Sequence, residues 1–442
     1  MWRTWLVKIL LGALVSAYFF PFEFTFLPGY NTKMIMAALG LALWGINLSK
    51  QRAFSTNASL LNLSVMALIV SLIGVVSVVI NNTRDYTYAT YVVSMWVWLG
   101  GAFFVVETLK TVHKKVSVEI FFNYLVGVCV AQCVIAILID NVGLIEGLVN
   151  RFVATSGFVD QATLANKDRL YGIGCALDVA GTRFAAVLLM LSVLIGKNKE
   201  RGAVLLYTYL ISFVIIVVIG NMISRTTTVG VILSILYALI RSLNLDFVVS
   251  KSSIQVFKRL LIMALIAIPI LVSLYNTNAN IREDIRFAFE GFFSLAEKGE
   301  WDVHSNDRLM TMYVFPDNTK TWIIGDGYFD GPSNTDPYYV GPTMTGFYMW
   351  TDVGYLRFIF YFGVIGLVAF MIFFYKCAQT CAKKFPSFKF TFWLLLLLNY
   401  IIWFKVATDI FVVFAPFLCI SMADNDAYEK EYEDSIPDSL DV

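Results

Sequence analysis

Charged residues are scarce in this chain of 442 residues: they make up 15% of it, whereas a globular domain carries about a quarter. Hydrophobic residues make up 58%, and the mean hydropathy is +0.71. One soluble core cannot hide that much apolar surface. The composition therefore excludes an ordinary cytosolic enzyme, a nucleic-acid-binding protein and a disordered scaffold.

Histidine and cysteine are also rare. The two histidines, His113 and His304, are far apart, and no run of His, Cys and carboxylate residues has metal-ligand spacing. The sequence therefore predicts neither a metal nor another cofactor. Of the six cysteines, only Cys175 is expected on the outer side of a membrane, so no disulfide is predicted. Internal repeats, which many transporters contain, are missing as well.

Long apolar runs are what the sequence has in abundance. A bilayer core about 30 Å thick requires roughly 20 apolar residues per helix. The sequence therefore predicts an all-α integral membrane protein with about twelve transmembrane helices. The stretches assigned to them are 4–20, 34–48, 60–80, 88–108, 118–138, 179–196, 203–223, 229–240, 259–275, 354–375, 391–404 and 410–423.

The basic residues predict the orientation of these helices. With the N-terminus in the cytoplasm, 19 of the 33 lysines and arginines lie on the cytoplasmic side, as the positive-inside rule requires. The C-terminus is then cytoplasmic too, and two large loops lie outside. The predicted organisation is nine helices in 1–275 with an outer loop at 139–178, a second outer loop at 276–353, three helices in 354–423, and an acidic cytoplasmic tail at 424–442.

The loop 276–353 is too long for a structureless connector. It carries twelve acidic and five basic residues. Segments 280–298 and 304–315 are predicted to be short helices, the second capped by Ser305 or Asn306. Long ordered loops usually carry function. The alternative is a lid that only covers the helices.

Two arginines stand in apolar surroundings. Arg225 is the only charged residue between Ala203 and Ile240, where it marks a turn between two helices. It either anchors a helix end at the interface or binds an anion through its planar fork of donors. Arg183 lies one turn inside the sixth predicted helix, where a charge usually faces a cavity or a partner. Asp178 is the alternative partner.

Two more arginines are predicted on the same outer face. Arg169 ends the loop 139–178, and Arg308 opens a short helix of the second loop. Together with Arg183 and Arg225, they would form a positive pocket within acidic surroundings.

Asp352 stands at the outer end of the tenth predicted helix, and Tyr355 and Arg357 follow it. Asp352 is either an N-cap of that helix or a general base beside a pocket at the membrane surface. Gly363 and Gly366 would allow close helix packing at this place.

With these residues in view, the chain resembles the O-antigen ligase and polymerase superfamily of bacterial membrane glycosyltransferases, which are of the GT-C type. The likeness covers the number of helices, the two large outer loops and three motifs. The motifs are Arg169-x-x-Gly172, Ser224-Arg225-Thr226 and the pattern of Asp352 with Gly363 and Gly366. The ligase signature has His where this chain has Asp352, so the resemblance favours the polymerase branch.

The resemblance implies polymerisation of undecaprenyl-diphosphate-linked repeat units into O-antigen or a related surface polysaccharide, by inverting and metal-independent glycosyl transfer. It implies catalytic roles for Asp352, Arg225 and Arg169, and substrate binding by Arg183, Arg308, Tyr355 and Arg357. The alternatives are an O-antigen ligase, which transfers glycan to lipid A-core, and a transporter of polysaccharide or lipid-linked sugar.

The same resemblance implies where the protein works and with what. The active site is expected on the periplasmic face of the bacterial inner membrane, with both termini cytoplasmic. The expected partners are the lipid-linked glycans, the lipid bilayer and a chain-length regulator protein. No nucleic acid is expected.

Overall fold

The chain is almost entirely helical. The computed structural model describes residues 2–50, 58–154, 169–198, 202–242 and 251–433. The longer helices are Trp2–Phe19, Thr32–Lys50, Ala58–Asn81, Tyr91–His113, Val118–Asn141, Leu177–Asn198, Ala203–Ile223, Thr227–Ser242, Lys251–Thr277, Gly354–Lys384 and Lys389–Ile402. The shorter ones are Gly143–Phe152, Ala279–Ala288, Glu290–Lys298, His304–Thr311, Thr319–Ile324, Pro332–Thr335, Phe411–Cys419 and Met422–Glu433.

Other regular structure is slight within the described residues. Strands Glu23–Phe24 and Val153–Ala154 pair antiparallel, and single turns of 3-10 helix cover Tyr348–Trp350 and Pro386–Phe388.

Seven of the described helices are long and apolar enough to cross a membrane, and four further apolar helices are shorter. Large apolar side chains such as Val79 and Val204 are exposed on these helices, as expected of surfaces that face lipid. The architecture is therefore that of an all-α, multi-pass membrane protein. A helix covers most of each stretch predicted to span, but the number twelve stays a prediction.

The chain divides into two compact units. The first consists of Met1–Trp44, Gly100–Glu290 and Ala415–Val442, and the second of Gly45–Leu99 and Gly291–Phe414.

The core of the first unit is the helix Leu177–Asn198, most of which is buried. It packs closely on the helix Thr227–Ser242 because Gly230 has no side chain: a Cβ there would lie 2.3 Å from the Cα of Ala185. The same packing brings the loop before Thr227–Ser242 against the start of the buried helix.

The second unit is built around the helix Gly354–Lys384, which packs against Ala58–Asn81 and Lys389–Ile402. Aromatic rings fill the interior: the ring centroids of Phe358 and Trp403 are 4.8 Å apart. Such edge-to-face pairs favour one fixed arrangement of the core.

The short helices of 276–353 differ from the sequence prediction. The segment predicted as one helix over 280–298 is two helices, because the chain leaves helical geometry at Phe289. The next helix ends at Thr311 rather than at residue 315, and its N-cap is Val303. The prediction of a cap at Ser305 or Asn306 is wrong, since His304 already belongs to the helix.

Candidate functional site

Arg225 lies in the tight turn between the helices Ala203–Ile223 and Thr227–Ser242, as predicted. Both neighbours of Arg225 fix this turn: the hydroxyls of Ser224 and Thr226 donate to one carboxylate oxygen of Asp178, over 3.2 Å in the case of Ser224. Asp178 stands at the start of the buried helix Leu177–Asn198. The Ser-Arg-Thr motif thus anchors the turn and leaves the arginine side chain for other contacts.

Arg169 precedes a second fixed turn. A bridge joins Gly172 to Cys175, and the Gln132 side chain both donates to the carbonyl of Ile173 and accepts from its N–H, each over 3.0 Å. A Cβ at Gly172 would lie 2.4 Å from the side-chain oxygen of Gln132. The glycine of the Arg169-x-x-Gly172 motif is therefore needed for the close approach of Gln132.

Arg169 and Arg225 both pack on the same aromatic ring. The guanidinium carbon of Arg169 lies 4.7 Å from the ring centroid of Phe287, and that of Arg225 lies 4.2 Å from it. Arg225 also donates to the carboxylate of Glu290. Phe287 lies in the helix Ala279–Ala288, and Glu290 begins the next one. We call Arg169, Arg225, Phe287 and Glu290 the arginine cluster.

The other two arginines of the predicted positive pocket are placed differently. Arg183 is buried in the first unit, where its guanidinium lies over the rings of Phe19 and Phe20, at 5.8 and 5.5 Å. Arg308 is exposed on the helix His304–Thr311 of the second unit.

The second unit holds a buried arginine between two acids and two rings. Arg357, 5% exposed, forms ion pairs with Asp330 at 2.6 Å and with Asp352 at 3.6 Å. Its guanidinium lies 3.6 Å from the ring centroid of Phe329 and 4.3 Å from that of Phe347. Its Nε has no hydrogen-bond partner among the described residues. Arg357 thus holds the two carboxylates and the two aromatic rings in place around it.

Asp85 positions Asp330 for that ion pair. The buried carboxylate of Asp85 accepts from the backbone N–H of Phe329 at 2.7 Å and of Asp330 at 3.2 Å. Burial raises the pKa of Asp330, the Arg357 guanidinium lowers it, and the charge of Asp85 raises it further. A carboxyl group of this kind takes up a proton more readily than a solvated aspartate does.

Asp352 is not the N-cap of the tenth predicted helix. That helix begins at Gly354, its cap position is Val353, and no side chain caps it. Tyr355 does not accompany Asp352 into an open site, because its hydroxyl donates to the carbonyl of Tyr400 and its ring packs on Trp403. Asp352 instead forms an ion pair with Arg357.

Gly363 marks a break in the helix and also leaves room for close packing. It has φ +69° and ψ −176°, and the helix Thr319–Ile324 packs against it: a Cβ would lie 2.1 Å from the carbonyl oxygen of Ile323. The backbone N–H of Asp326 donates to the carbonyl of Phe360 over 2.6 Å. The loop is therefore joined to this helix by backbone hydrogen bonds, and this places the segment that carries Asp330.

Sequence reasoning missed Phe287, Glu290, Asp330 and the two rings around Arg357. No local signal marks them, since Glu290 is 65 residues from Arg225 and Asp330 is 27 from Arg357. Gln132, which is one of the two amide side chains inside its apolar helix and is buried, could have been noticed as a buried polar residue.

Comparisons with protein-family models, curated proteins and solved structures find no match to this chain. Within the described ranges, no group of three or more His, Cys, Asp or Glu side chains is placed to hold a metal ion. The arginine cluster and the surroundings of Arg357 are thus the features from which a function can be inferred.

Proposed function

We propose that the protein polymerises undecaprenyl-diphosphate-linked oligosaccharide repeat units into a surface polysaccharide of the O-antigen type. The observation that carries the proposal is the arginine cluster: Arg169 and Arg225 share the ring of Phe287. In this proposal the two guanidinium groups bind the diphosphate of the donor lipid. The site works at the periplasmic face of the inner membrane.

The arginine cluster has the chemistry that a diphosphate requires. Guanidinium groups offer planar forks of donors that match phosphate oxygens. Packing on Phe287 holds both groups in place through cation–π contact, which is stronger where water is excluded. Arg225 is only 18% exposed, so its charge is weakly screened. Glu290 balances part of that charge, and a bound diphosphate would compete with it.

The proposed reaction is an inverting displacement at the anomeric carbon of the donor glycan. The hydroxyl oxygen of the incoming repeat unit forms the new glycosidic bond, and the bond from the anomeric carbon to the diphosphate oxygen breaks. Undecaprenyl diphosphate leaves as an anion that gains charge in the transition state. Arg169 and Arg225 stabilise that charge, a type of contribution that is usually large.

Asp352 is proposed as the general base that takes the proton of the acceptor hydroxyl. Asp352 forms an ion pair with Arg357 at 3.6 Å, and its carboxyl group is of the type that this role requires. Arg183, Arg308, Tyr355 and Arg357 were expected to bind substrate. In the structure Tyr355 and Arg357 are engaged by neighbouring groups, so we propose that they position the surrounding segments rather than contact glycan.

Genetic complementation tests this proposal. In a strain that lacks the chain, Arg225→Ala, Arg169→Ala and Asp352→Asn should each fail to restore long polysaccharide on a gel, at normal protein level. Arg225→Lys keeps the charge but loses the fork, so it should restore only short chains. The control is Arg151→Ala, which removes an exposed arginine of the outer loop 139–178.

The deletion strain itself distinguishes the alternatives. A polymerase deletion leaves glycan of a single repeat unit, whereas a ligase deletion leaves long polymer on the lipid carrier. Loss of all glycan from the periplasm would indicate a transporter. Restoration of long chains by all three variants would refute the assigned residues.

A further inference from the structure

The segment 326–352 has an unusual composition. It contains four aspartates, seven aromatic residues and neither lysine nor arginine. Aromatic faces and carboxylates are the groups that bind sugar rings and hydroxyls, but composition alone does not make a site. The geometry around Phe347 supplies the further evidence.

Phe347 and Asp330 face each other across an antiparallel bridge. The ring of Phe347 is partly exposed, and so is the carboxylate of Asp330, whose side chain is 45% exposed. Buried Arg357 fixes both side chains, because its guanidinium packs on the ring and forms an ion pair with the carboxylate. A partly exposed ring and a partly exposed hydrogen-bond acceptor are thus fixed side by side by the buried arginine.

Trp350 lies on the same turn as Phe347, and its side chain is exposed. Its backbone N–H donates to the carbonyl of Phe347 over 3.1 Å, and its side chain is 58% exposed. Both Met349 and Trp350 have positive φ, +53° and +58°. For a large side chain this conformation is unfavourable, and such strain collects at binding and catalytic sites.

We propose that Asp330, Phe347 and Trp350 form a sugar-binding platform for neutral and N-acetylated amino sugars. We call these three residues the Phe347 platform. The inference rests on the proposed function, which it deepens by naming the class of sugar in the repeat unit. The platform binds glycan, while the arginine cluster binds diphosphate.

The physical basis is stacking combined with hydrogen bonding. The C–H groups of a pyranose face carry partial positive charge and pack on the negative faces of Phe347 and Trp350. Asp330 accepts from sugar hydroxyls through the oxygen that Arg357 does not use. Because Arg357 already fixes the ring and the carboxylate, binding costs little side-chain entropy.

The charge of the segment sets the specificity. The four aspartates of 326–352 outnumber the two bases that pair with them, Arg357 and Lys320, so the surroundings keep a net negative charge that repels a carboxylate-bearing sugar. Uronic and sialic acids are therefore rejected, and uncharged hexoses and N-acetylhexosamines are accepted. Rejection through like charge is a common way to obtain specificity.

Saturation-transfer NMR on the purified protein in nanodiscs tests the platform without any need for activity. The probes are free oligosaccharides of hexoses and N-acetylhexosamines, with oligouronates of the same length for comparison. The neutral probes should show transfer, and the oligouronates should not. Binding of the neutral probes should weaken about tenfold in Phe347→Ala and in Trp350→Ala. In Asp330→Asn the discrimination against oligouronates should diminish.

Tyr338→Ala is the matched control, because it removes an exposed ring of the same segment from outside the platform. It should bind the neutral probes as the unaltered protein does. No transfer to any neutral probe, equal binding of oligouronates, or unchanged binding in both ring variants would overturn the platform. Undecaprenyl diphosphate binding, measured on the same samples, tests the arginine cluster separately, so the two proposals can fail independently.

Discussion

The guanidinium carbon of Arg225 lies 4.2 Å from the ring centroid of Phe287. Arg169, which precedes the turn at Gly172–Cys175, packs on the same ring. A single aromatic side chain thus gathers two cations that would otherwise repel each other. Phe287 is the residue whose replacement should affect both arginines at once.

Phe287→Leu should weaken the binding of undecaprenyl diphosphate about tenfold. Leucine keeps the apolar volume but has no negative face, so both guanidinium groups lose a contact worth ~0.5–2 kcal/mol. The measurement is binding of the lipid to the purified protein in nanodiscs. Phe292→Leu is the control, since Phe292 is an exposed ring on the neighbouring helix that packs on Trp301. Equal affinity in Phe287→Leu and the unaltered protein would show that the ring plays no part in lipid binding.

Glu290→Gln should strengthen the binding of the same lipid several-fold. The Glu290 carboxylate accepts from Arg225, so it competes with a phosphate for the same donors and repels it. Glutamine preserves the size and removes the charge. Glu297→Gln, on the exposed face of the same helix, is the control for loss of one acidic charge. Weaker binding in Glu290→Gln would mean that Glu290 orients Arg225 for the lipid rather than competing with it.

Hydropathy predicted most of the helices, because apolar runs in a membrane protein map directly onto single elements. The turn at Arg225 could be predicted for the same reason: the apolar run 203–240 is long enough for two helices, so its lone charge marks the turn between them. The loop helices were less predictable. Phe289 interrupts the segment 280–298 although no glycine or proline marks the break.

The contacts of the candidate site could be predicted only in part. Arg169 and Arg225 were expected to lie near each other, but the reason was their charge and their shared side of the membrane. Phe287, which gathers them, is an ordinary aromatic in the sequence. Asp330 was one acid among twelve in its loop, and only the fold pairs it with Arg357. Pairings over such separations depend on tertiary structure.

Gly363→Ala should destabilise the protein by at least about 3 kcal/mol. Alanine is strained at φ +69°, and its Cβ would lie 2.1 Å from the backbone oxygen of Ile323. Thermal unfolding by scanning fluorimetry in detergent measures the effect. Gly127→Ala is the matched control, because a Cβ on that helical glycine meets nothing within 4 Å. It should be neutral or slightly stabilising. A Gly363→Ala protein as stable as the control would refute the break in the helix.

Asp284→Asn should remove a pH dependence from the stability of the first unit. Burial, and then the charges of Asp140 and Glu283, raise the pKa of Asp284 from 3.8 to about 7, and one of its oxygens has no partner among the described residues. The folded protein therefore keeps a proton that the unfolded chain releases, and stability falls as the pH rises from about 4 to about 7. Asparagine has no charged form. The variant should match the unaltered protein near pH 4 and exceed its stability above pH 7, by on the order of 4 kcal/mol.

Unfolding temperatures of the two proteins, measured in detergent across this pH range, give the difference that belongs to Asp284 and cancel the contributions of other carboxyl groups. Glu283→Gln is the control, because Glu283 is the exposed neighbour on the same helix. Removal of its charge lowers the pKa of Asp284 only in part, so most of the dependence should remain. A difference between Asp284→Asn and the unaltered protein that stays constant from pH 4 to pH 8 would mean that Asp284 releases its proton over the same pH range in the folded and unfolded states, and that burial does not hold it.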